Sequence, residues 1–86
     1  MEIKKNATAG TMESSDAFVA VSPADELIVE INSVVYTQYG KAIEKCVKDT
    51  LSSLDVAKGK VAVTDKGAID CVIAARVETA VRRAEA

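Results

Sequence analysis

The sequence predicts an α+β fold of two layers, a small three-stranded mixed sheet with two helices on one face, in the order strand, strand, helix, strand, helix. Three observations predict it. Apolar residues recur at steps of three and four through two segments, Val35 to Leu54 and Ile69 to Ala84, the period of amphipathic helices. Short Val-rich runs precede each helix, as strands do. The first helix also separates the second and third strands, a connection long enough for a parallel crossover in a two-layer domain.

The first ten or so residues lack periodicity and are expected to be loosely ordered. From Met12 onward, DAFVAVS carries a short run rich in Val and Phe, which predicts a strand over about residues 12 to 21. Ser22-Pro23-Ala24-Asp25 then places proline where its fixed φ suits a type I turn, so a hairpin is the simplest connection. ELIVEINS is the second strand, with Leu27, Val29 and Ile31 on one face and Ile28, Glu30 and Asn32 on the other. In the helix that follows, Asn32 or Ser33 is placed to cap the N-terminus, and Gly40 costs about 1 kcal/mol relative to alanine. Cys46 falls on its apolar stripe with Ile43, Val47 and Leu51. DVAKGK reads as a loop punctuated by Gly59, and KVAVT as a third strand at about residues 60 to 64. Thr64 or Asp65 is then expected to cap the second helix, whose last turn carries Arg82 and Arg83 at the negative end of the helix dipole.

Eighty-six residues make one domain, residues 1–86, with a core that buries roughly 60 to 65% of the unfolded chain's surface. A net charge of −2 and an aromatic content of 3% offer neither attraction for phosphate backbones nor platforms for bases, so nucleic acid is excluded as a partner. No apolar segment follows the N-terminal lysines and no 18-residue apolar run occurs, which predicts a cytoplasmic protein with no membrane partner. Cys46 and Cys71 form no CxxC pair and the chain has no histidine, so zinc patterns cannot be built, no metal site is expected, and both thiols are expected to be buried. The missing histidine also removes the usual general base, and no nucleophile-and-base motif is visible. A free-standing enzyme is therefore not expected.

The stretch AGTMESSDAF, residues 9–18, sets Ser14 and Ser15 between Glu13 and Asp16 just ahead of an apolar run. Spacing alone leaves two readings, a turn or cap and a site of covalent modification.

Three blocks, GTMESSDAFVAV, EINSVVYTQYGKAI and VTDKGAIDCVIAARVETAVRRA, resemble in order and spacing the acyl carrier proteins of citrate lyase, its gamma subunit. They span most of the chain. In that family the serine directly after the glutamate of a G-T-x-E-S segment carries phosphoribosyl dephospho-coenzyme A through a phosphodiester. The resemblance therefore implies that Ser14 is the attachment residue, and that the group's terminal thiol holds acetyl and citryl as thioesters. It implies as partners the alpha (acyl transferase) and beta (lyase) subunits, with a prosthetic-group transferase and an acetylating ligase as transient ones. This chain itself would be a non-catalytic carrier in the cleavage of citrate to acetate and oxaloacetate. That role suits an inventory without histidine, because the reactive thiol belongs to the cofactor.

Glu13 and Asp16 then have three readings: Mg²⁺ ligands beside the cofactor's phosphates, contacts for basic residues of the modifying enzyme, or solvated loop acids. Leu51-Ser52-Ser53-Leu54-Asp55 mimics the attachment motif of four-helix-bundle carriers, but there the serine opens a helix, whereas Ser53 closes one. The expected fold is not that bundle. Two alternatives to the citrate lyase reading stand. One is the carrier of a related complex such as malonate decarboxylase; the other is an interaction module in which Ser14 or Ser15 is a phosphorylation site.

Overall fold

Why four strands form where three are expected is seen first at the N-terminus of the computed structural model, which describes all 86 residues. The strands are β1 (Ala7–Gly10), β2 (Ala17–Ser22), β3 (Leu27–Ser33) and β4 (Gly59–Asp65), and the helices are α1 (Tyr36–Ser53) and α2 (Asp70–Glu85). The expectation of a loosely ordered first ten residues is corrected. β1 pairs antiparallel with β2, Ile3 is buried, Lys4 N–H donates to the Ala84 carbonyl at 3.1 Å, and the Met1 amino group donates to the Leu54 carbonyl at 2.7 Å. Its strand signal is faint because ATAG alternates only small residues, with Ala9 alone fully turned into the core.

The predicted hairpin between the second and third expected strands is also corrected. The sheet order is β1-β2-β4-β3, so β4 lies between the two strands that Ser22–Asp25 connects. β2 pairs antiparallel with β4 and β3 pairs parallel with it, which bears out the parallel crossover through α1. The physical reason is burial. β4 turns Gly59, Val61, Val63 and Asp65 inward, all buried, and takes the centre, whereas β3 buries no residue fully and forms an edge. The first predicted strand starts at Ala17 rather than Met12, leaving residues 11–16 as loop.

Val19 and Val21 of β2 and Val61 and Val63 of β4 meet Ile43, Val47 and Leu51 of α1 and Ile73, Val77 and Val81 of α2 in a single core. α2 packs on β1 and β2, and α1 on β3 and α2, so both helices lie on one face as predicted. Neither helix has the side-chain cap expected of it. Ser33 Oγ instead accepts from Val35 N–H at 3.1 Å, one residue short of α1, and Asp65 Oδ1 accepts from Ala68 N–H at 2.8 Å, before α2 begins. The thiol expectation fails for Cys71, which is exposed at the solvent side of α2, and Cys46 is only half-buried. No helix is long and apolar enough to cross a membrane.

Candidate functional site

The loop between β1 and β2, residues 11–16, reverses the chain between two antiparallel strands. Its entry is Gly10, at φ +90, where an added Cβ would strike the Ala17 carbonyl oxygen and stand 3.1 Å from Arg76 Cδ; only glycine fits there. Asp16 N–H then donates to the Glu13 carbonyl at 3.1 Å, closing a β-turn with Ser14 and Ser15 as its central residues. Ser15 has φ +66 whereas Ser14 has no positive φ, the type II pattern. Ser14 therefore stands at the first corner, exposed, and its hydroxyl makes no hydrogen bond within the chain.

Ser15 takes a conformation that favours glycine, and its neighbours hold it there. Ser15 N–H donates to the Lys66 carbonyl at 2.8 Å and Lys66 N–H to the Asp16 carbonyl at 2.9 Å, extending the β2–β4 ladder beyond the Ala17–Asp65 pair. The turn is thereby joined to the end of the central strand.

Asp16 is not a free loop acid. Its Oδ1 accepts from Arg76 Nε at 3.0 Å and from Ala17 N–H at 2.7 Å, and its Oδ2 accepts from Arg76 Nη2 at 3.1 Å and from Thr11 Oγ1 at 2.7 Å. The Arg76 guanidinium first, then the Thr11 hydroxyl and the Ala17 N–H, hold the Asp16 carboxyl well below the usual carboxylate range. Thr11 Oγ1 also accepts from Glu13 N–H at 3.2 Å, while the Glu13 side chain is exposed and pairs with no cation.

The structure thus places Glu13, Ser14 and Asp16 in one turn, and of their three side chains only that of Asp16 is committed to partners inside the chain. Ser53 lies elsewhere, at the C-terminal end of α1, where its hydroxyl donates to the Thr50 carbonyl at 2.7 Å. Sequence reasoning missed Thr11, Lys66 and Arg76. The partners of Asp16 and Ser15 lie 60 and 51 positions away in Arg76 and Lys66, separations that no local pattern reports.

An exposed, unengaged hydroxyl on a fixed turn can accept a covalent group without disturbing the core. Residues 4–84 match the family model described as ACP, malonate decarboxylase delta subunit. The chain is 55% identical over 85 residues to the citrate lyase acyl carrier protein of Pectobacterium atrosepticum, covering 98% of this chain and 88% of that one. It is 52% identical over 84 residues to the citrate lyase acyl carrier protein of Haemophilus influenzae strain PittEE, with the same coverage. Its fold matches a chain of the Pseudomonas malonate decarboxylase hetero-tetramer with a TM-score of 0.82 at 17% identity, over 94% of this chain and 84% of that one. A near-full-length match at half identity, on an α+β scaffold rather than a helical bundle, establishes that the chain belongs to the citrate lyase acyl carrier protein family.

Proposed function

We propose that this chain is the acyl carrier subunit of a citrate lyase, with phosphoribosyl dephospho-coenzyme A attached through a phosphodiester to Ser14 Oγ. The single observation that carries the proposal is the state of Ser14: exposed, with a hydroxyl that makes no internal hydrogen bond, at the corner of a turn whose following residues are tied to Lys66, just past the end of β4. Membership of the family makes the chain a carrier with a covalently bound group and no bond-making chemistry of its own. Once attached, the group supplies a thiol that holds the acyl chain as a thioester.

The chain's own residues supply placement. Ser14 gives the ester oxygen, and Ser15, held left-handed, completes the turn at whose corner Ser14 is exposed. The β2–β4 ladder fixes the base of the turn while the attached arm stays free to reach the acyl transferase and lyase subunits in succession, raising the local concentration of the acyl group at each. Glu13 is the acid free to meet basic residues of a partner or of the prosthetic-group transferase, because the Asp16 carboxylate is already filled.

The description of the matching family model supports one second reading, the carrier of a malonate decarboxylase. Mixing the matured protein with citrate lyase alpha and beta subunits and following oxaloacetate tests the choice. Citrate cleavage that depends on the added protein supports the proposal; no cleavage, with malonate decarboxylation in the parallel assay, supports the second reading.

A further inference from the structure

We propose that Arg76 and Asp16 act together as positioning residues that hold Ser14 ready for covalent modification. The inference rests on the assignment of Ser14 as the attachment residue. Residues 11–15 are all exposed, so no apolar packing fixes the loop and its shape depends on polar contacts alone.

Those contacts divide unequally. The second half of the turn is held by backbone, through the paired hydrogen bonds between Ser15, Asp16 and Lys66. The first half has no such tie to the sheet: Glu13 N–H reaches Thr11 Oγ1, and Thr11 Oγ1 reaches Asp16 Oδ2. One backbone bond, Asp16 N–H to the Glu13 carbonyl, joins the two halves, and the Asp16 carboxylate is the side-chain hub that joins them a second time through Thr11, with Ser14 between them.

Arg76 fixes the hub. Its Nε and Nη2 donate to the two carboxylate oxygens in the forked geometry that only a guanidinium provides, so the carboxylate is held in orientation as well as in place. The fork is anchored on α2, where neighbouring Val77 and Ile73 are fully buried. Asp16 is largely covered, with its side chain 15% exposed, so a partner protein meets the turn that the pair shapes rather than the carboxylate itself.

Attachment requires Ser14 Oγ to attack the phosphorus of an activated phosphoanhydride donor. The O–P bond forms, the anhydride bond to the leaving phosphate breaks, and the hydroxyl proton passes to the modifying enzyme. A displacement of about 1 Å at such a nucleophile costs on the order of 100-fold in rate. A positioning pair therefore acts on the turnover of the modifying enzyme more than on its binding of the carrier.

The test measures prosthetic-group addition to the full chain by intact mass, with the transferase at varied carrier concentrations, for Asp16→Asn, Arg76→Ala, Arg76→Lys and the double variant Asp16→Asn/Arg76→Ala. The proposal expects kcat to fall by about 10- to 100-fold in each alanine or asparagine variant with KM within about twofold. It expects a smaller loss for Arg76→Lys, and a double variant no worse than the worse single one. The amide resonances of Glu13 and Ala17 should move in every variant while those of core residues Val63 and Val77 stay in place, which separates a moved loop from an unfolded chain. Wild-type kcat in folded Arg76→Ala and Asp16→Asn, or losses that multiply in the double variant, would overturn the proposal. Ser14→Ala distinguishes the two layers: if it is still modified, the Ser14 assignment fails, and if it is not while Arg76→Ala is modified at the wild-type rate, only the positioning role fails.

Discussion

Ser33 Oγ donates a 2.7 Å hydrogen bond to Oδ2 of Asp65, its register partner across the parallel β3–β4 pair. Asp65 is the one buried charged residue, 1% exposed, and its other oxygen accepts from Ala68 N–H. The pair therefore ties the end of the edge strand to the segment that carries Lys66, whose backbone holds the Ser14 turn. Ser33→Ala leaves a buried carboxylate oxygen without its donor, a loss of about 1–3 kcal/mol. Urea unfolding checks it, and a change under about 0.3 kcal/mol would show that the hydroxyl is not needed.

Gly10 and Gly67 form a matched comparison. Both have φ near +90, but an added Cβ strikes the Ala17 carbonyl at Gly10 and meets nothing within 4 Å at Gly67. Gly67→Ala should cost only the left-handed penalty of about 1–2 kcal/mol. Gly10→Ala should cost more, by at least about 1 kcal/mol, since steric overlap adds to it. Thermal unfolding of the two variants side by side gives the difference, and equal losses would contradict the close approach of Gly10 to β2.

The pH dependence of stability carries the signature of Asp16. Its folded-state pKa lies below the unfolded value of about 3.9, so its contribution is complete above that value and is lost as pH falls through the folded one. Asp16→Asn should therefore be less stable than the parent at pH 7, and the gap should narrow as pH drops below about 4. Unfolding midpoints of both proteins at pH 7, 4 and 3 check this. A gap that is constant with pH would show that the ion pair does not hold the carboxylate.

The two thiols should separate by reactivity. Burial first, and then the nearby charges of Asp70 and Asp49, push the Cys46 thiol up, and its Sγ donates to the Asp70 carbonyl at 3.6 Å. Cys71 is exposed. Iodoacetamide near neutral pH should label Cys71 faster than Cys46, by on the order of tenfold, as peptide mapping at short times would show.

Local pattern carried the long elements and failed where partners lie far apart in the chain. α1 and α2 were legible because Ile43, Val47 and Leu51, and Ile73, Val77 and Val81, repeat at helical spacing and all face the core. β1 was not, because Ala7 and Ala9 are too small to mark an inward face, and it gains its order by pairing with β2. Pro23 marked a chain reversal correctly but could not say which strand would be met next; that depends on β4, 34 positions beyond the end of the turn at Asp25. Ser14 was legible only through the resemblance of GTMESSD to a known family, whereas the contacts that shape its turn, Arg76 to Asp16 and Lys66 to Ser15, are long-range.

Intact-mass analysis of the protein produced together with its maturation enzymes decides whether the group is attached at Ser14. Ser15→Gly is the suitable neighbouring control because glycine accepts the positive φ at that position. The wild-type protein and Ser15→Gly should both gain the mass of one phosphoribosyl dephospho-coenzyme A group and Ser14→Ala should gain none, whereas retention of the full addition by Ser14→Ala would contradict the account.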